Sequence, residues 1–86
     1  MHDFYLAKEI LDEVLSAAKK NHLNKVNRAV IKLGRFIEHD EDILPANLKS
    51  NFQLLAKNTI VQDAELVVQK FVRNNHWELV EIEGDK

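Results

Sequence analysis

Cysteine is absent from the 86 residues, which removes disulfides, thiolate nucleophiles and Cys-based zinc sites together. Glycine occurs only twice and proline once, so no glycine-rich loop that cradles phosphate can be built. No apolar run is long enough to span a bilayer, and the acidic, amphipathic N-terminal stretch does not read as a signal peptide. The expectation is a cytoplasmic chain with no membrane partner. A basic excess is missing too: 12 Lys and Arg stand against 14 Asp and Glu, a formal charge of -2, whereas a dedicated nucleic-acid binder is normally basic. Among enzyme chemistries these absences leave acid–base work by His and carboxylates. No such pair is set up convincingly, so the chain does not read as an enzyme.

What is present is an ordinary globular balance, 45% hydrophobic and 30% charged, enough for one small core. From about Phe4 to Asn21, Ala7, Ile10, Leu11, Val14, Leu15 and Ala18 recur on one helical face. That stripe reads as core rather than as a groove-filler for a partner. A polar turn at Asn21-His22-Leu23-Asn24 leads to a β-branched strand from Lys25 to Gly34. Strict alternation puts Asn27, Ala29, Ile31 and Leu33 on one face and Val26, Arg28, Val30 and Lys32 on the other. Arg28, Lys32 and Arg35 form a basic stripe, read as a solvated face because acidic residues from Glu38 to Asp42 follow closely.

His39-Asp40-Glu41-Asp42 has the look of a ligand cluster, but consecutive side chains in a turn cannot all face one ion. Acids before a helix are what its dipole favours. Pro45 suits the first position of that second helix and pushes Leu44 out of helical geometry. Leu48, Phe52, Leu55 and Ala56 give it an apolar side through Lys57, and Asn58 occupies the place where a left-handed residue is usual. Asp63 to Val72 reads as a second strand, the most buried one through Leu66, Val67, Val68 and Phe71. Arg73-Asn74-Asn75 supplies a turn, and Trp77 to Ile82 returns as a third strand alongside the second. The expected fold is α+β in αβαββ order, two helices packed on one face of a three-stranded mixed sheet.

The chain's start carries the distinctive chemistry. The Met1 amine, the His2 amide and Nδ1 of the His2 imidazole can meet one metal in a plane through a five-membered and a six-membered chelate ring. Nitrogen donors in a tetragonal plane suit Ni(II) and Cu(II). The competing reading is a solvated terminus with Asp3 as a helix N-cap. The positive end of the helix dipole disfavours a bare cation here but not an amidate chelate, so affinity is expected to rise with pH. The bulky His2 is expected to keep Met1 in place.

Met1-His2-Asp3, Leu6-Ala7, Ile10-Leu11, Val30-Ile31-Lys32-Leu33-Gly34, the run from Phe52 to Ile60, and Ala64-Glu65-Leu66 together resemble the HypA/HybF family of nickel-incorporation proteins over roughly residues 1 to 72. The family pattern has Glu where this chain has Asp3, and Gly where it has Asn58. The resemblance implies a nickel metallochaperone domain serving maturation of NiFe hydrogenase or urease, with a nickel-delivery GTPase among its partners. It places Ni(II) on Met1, His2 and Asp3. A fourth donor stays open among water, His39 and His76.

Members of that family carry a zinc domain built on two Cys pairs after the second strand. Here Arg73-Asn74-Asn75-His76 takes its place, while Trp77 to Gly84 still resembles the family's final strand. The expectation is a single HypA-like nickel-binding domain over residues 1–86, its zinc domain missing between about 72 and 77, by natural divergence or by excision. No zinc is expected. The alternative function is a HypA-like protein-interaction module that has lost metal delivery and associates through protein contacts, a homodimer among them.

Overall fold

The computed structural model describes the backbone of residues 3–35, 37–38 and 41–86, and the side chains of 4–35 and 43–86. Helix α1 spans Asp3–Lys20 and α2 spans Pro45–Ala56; strands β1 (Lys25–Leu33), β4 (Glu65–Lys70) and β5 (Trp77–Asp85) form the main sheet. Two further strands, β2 (Ile37–Glu38) and β3 (Glu41–Asp42), pair antiparallel with each other, Ile37 opposite Asp42. Of the acidic cluster, His39 and Asp40 lie outside the described residues, while Glu41 and Asp42 are extended.

α1 forms where the 3.6-residue stripe predicts. Leu6, Ala7, Ile10, Leu11, Val14 and Ala18 are buried, and Leu15 packs against them part-buried. Leu48, Phe52 and Ala56 bring α2 into the same core, with Val26, Ala29, Ile31, Leu33, Val61, Ala64 and Leu66 from the sheet and its connection. Pro45 sits at the start of α2 behind an extended Leu44 (φ -80°, ψ 136°). Asn58 takes φ 66° just past the helix end, a conformation Asn tolerates better than most residues.

β4 runs parallel to β1, Ala29 opposite Leu66, as a strand–helix–strand unit requires. β5 runs antiparallel to β1, not alongside β4, so the sheet order is β4-β1-β5. The expected hairpin between the second and third long strands is thus a crossing connection that carries the chain over the end of β1. Being central, β1 rather than β4 is the most buried strand: of the β4 residues only Leu66 is buried.

Glycine marks the crossing. A Cβ on Gly34 would lie 1.7 Å from the Arg73 carbonyl oxygen, so only glycine lets residues 71–76 pass there. The loop is pinned by Gly34 N–H to the His76 carbonyl (2.8 Å), Phe71 N–H to Leu33 (3.0 Å) and Asn75 N–H to Arg35 (2.9 Å). Asn75 absorbs the bend at φ 54°.

Two β-bulges reset the alternation. One leaves Asn27 as the extra residue on β1, and the other leaves Val80 as the extra residue on β5. The first bulge explains why Val26 is buried with Ala29 and Ile31 while Asn27 is exposed, the reverse of what strict alternation gives at those two positions. The helix-free face of the sheet carries Arg28, Lys32, Glu78, Glu81 and Glu83 around Val30 and Val67. Arg28 Nη1 lies 3.6 Å from Glu83 Oε1, so the basic stripe faces carboxylates of β5.

Candidate metal site

The strand directions gather one set of segments at a single end of the molecule. α1 runs antiparallel to β1, so it begins where β1 and β4 finish and β5 starts. The Trp77 indole N–H donates to Glu9 Oε1 at 3.2 Å, fixing the first turns of α1 against the start of β5. Asp3, at the start of the helix, lies about 9 Å further along its axis than Glu9. Phe71 and His76 meet edge to face at 5.2 Å, and His76 Nε2 stands 3.9 Å from Glu78 Oε1.

Of the expected ligands, Met1 and His2 lie outside the described residues. The backbone of Asp3 falls within α1, directly after the two residues that are not described. Of the fourth-donor candidates, His76 sits on the crossing loop at the end where α1 starts; His39 lies outside the described residues. Among the described residues, no three His, Asp or Glu side chains are arranged to hold a metal ion.

Sequence spacing does not reveal the Trp77–Glu9 contact. The two residues are 68 positions apart, and the link appears only when β5 takes its place on the α1 side of the sheet.

Two helices on one face of a three-stranded mixed sheet is the fold of solved nickel-chaperone structures. The solution structure of the Ni metallochaperone HypA from Helicobacter pylori superposes with a TM-score of 0.79 at 18% identity, covering 99% of this chain and 98% of that one. A second solution structure, of a HypA protein, gives 0.68 at 18% identity over 96% and 95%.

This chain belongs to the HypA family: the family model described as hydrogenase/urease nickel incorporation metallochaperone matches residues 1–75. Hydrogenase maturation factor HypA of Methanosarcina barkeri is 33% identical over 69 residues, 80% of this chain and 49% of that protein. Its counterpart in Methanobrevibacter smithii is 30% identical over 70 residues, 81% of this chain and 53% of that one. The chain thus spans about half the length of these curated relatives. No helix among the described residues is long and apolar enough to cross a membrane.

Proposed function

We propose that this chain binds Ni(II) as cargo through its N-terminus and passes it on during maturation of a nickel enzyme, NiFe hydrogenase or urease. The Met1 amine, the His2 amide and the His2 imidazole supply three nitrogens, and Asp3 contributes through its backbone nitrogen or by orienting the site. Family membership across residues 1–75 carries this reading. A physical point supports it: the three nitrogens are covalently spaced to close a five-membered and a six-membered ring on one metal, in the plane that Ni(II) suits. Each such nitrogen must lose a proton to bind, so nickel affinity rises with pH.

The Arg73–His76 connection stands where the family carries its zinc domain, so the chain works as a single nickel-binding domain without zinc. Its partners on this reading are a nickel-delivery GTPase and other maturation proteins in the cytoplasm, and it performs no catalysis itself. The fourth donor stays open among water, His39 and His76, the last of which sits on the crossing loop that Gly34 N–H pins.

The test is calorimetric titration of nickel into untagged protein at about pH 7.5, beside His2→Ala. One-to-one binding with proton release, lost in the variant, is expected. Equal and weak binding by both would leave the interaction-module reading instead.

A further inference from the structure

β5 occupies one edge of the sheet, so its second flank has no strand partner among the described residues. An antiparallel edge strand turns the N–H and C=O of every second residue outward. At nine residues, β5 is longer than β4, the six-residue strand at the opposite edge. Beside β5 runs a groove whose other wall is α1. Its first half, about 690 Å³, lies between Glu9, Glu13 and residues 75–79. Its second half, about 620 Å³, lies between Ala17, Asn21 and the rest of β5, and the halves meet at Leu79. The wall residues of α1 recur every four positions, so they form one stripe along the helix.

The charge around this groove is mostly negative, with Lys86 at one end of its lining. β5 presents exposed Glu78, Glu81, Glu83 and Asp85, and α1 adds exposed Glu9 and Glu13 at the end nearest Trp77. Three of these are engaged inside the molecule: Glu9 accepts from Trp77, Glu78 lies 3.9 Å from His76 Nε2 and Glu83 faces Arg28. A second copy of the chain pairing β5 with β5 would set carboxylates beside carboxylates, which is destabilising. The same array suits a strand bearing Lys or Arg at alternate positions.

We infer that the β5 edge and the α1 groove form a docking site for an extended basic segment of a partner protein, which adds as a fourth strand beside β5. Backbone hydrogen bonds supply the pairing, and the carboxylates of α1 on one face of the sheet and of β5 on the other select a basic strand over an acidic one. This inference rests on the fold and charge alone, independently of nickel.

The test uses the full chain, metal-free and isotope-labelled, in NMR titrations with a capped peptide of about nine residues alternating lysine and valine, matched to β5 in length. A glutamate–valine peptide is the comparison. The expected result is amide shifts concentrated at residues 77–85 and at the Trp77 indole, with the lysine peptide bound at least roughly tenfold more tightly. Converting exposed Glu78 and Glu81 to lysine should weaken the lysine peptide by a similar factor. The inference is overturned by no binding up to millimolar peptide, by equal binding of the two peptides, by shifts at β4 instead, or by peptide-independent dimerisation through β5. The comparison of the two peptides decides the matter even if the double variant fails to fold.

Discussion

The two ends of the sheet are finished differently. At the far end, where α1 and α2 stop, the chain closes on itself. Asn21 Nδ2 donates to Ala17 O, Thr59 Oγ1 donates to Ala56 O and accepts from Val61 N–H, and Asn58 N–H reaches Gln62 Oε1. Backbone bonds from Asn24 to Asp85 and from Val26 to Ile60 lock the strands to these turns. At the near end, where both helices begin, α2 has no side-chain cap. Phe4, Tyr5, Leu44 and Val72 stay exposed there at 40%, 65%, 56% and 95%. One end is tied by side-chain and backbone bonds, with Ile60 alone of its large apolar groups exposed, while the other leaves four such groups exposed and α2 without a side-chain cap.

Gly34 is where the near end is tightest, and breaking it has the largest expected effect. Gly34→Ala forces a methyl into the Arg73 carbonyl and should cost about 3 kcal/mol, a large share of the roughly 4–13 kcal/mol expected for a chain this size. Urea denaturation measures it, and unchanged stability would contradict the crossing connection.

The next two changes are smaller and of opposite sign. Thr59→Ala removes two hydrogen bonds at the closed end and should lose about 1 kcal/mol. Leu44→Ser supplies the missing cap in a backbone already extended and should gain about 1 kcal/mol, raising the melting temperature by roughly 4–8 °C. A loss at Leu44 would mean that its side chain holds α2 in place, and the contrast between the ends would fail.

Much of this was written locally in the chain. The stripe of α1, Pro45 at the head of α2 and the left-handed Asn58 each follow from near neighbours, so the elements are readable where they fall. Strand order is not, because Arg73-Asn74-Asn75 has the composition of a hairpin turn. Only Gly34, some 40 residues away, records that the chain crosses β1 there. The bulge at Asn27 likewise inverts two positions that alternation assigns, since the extra residue is set by pairing with β5. Of the candidate site, the chelating order of Met1-His2-Asp3 is a matter of covalent geometry and can be read directly. The placement of His76 at the end where α1 begins depends on the sheet order and cannot.

The central claim, nickel held by the chain's own start, is tested most directly by blocking that start. Nickel titration of the unaltered chain beside one whose Met1 α-amine is acetylated removes one donor nitrogen and leaves every side chain in place. The account predicts one-to-one binding, with protons released, in the unaltered chain, and loss of that binding in the acetylated one. Equal binding by the two would place nickel elsewhere and contradict the N-terminal site.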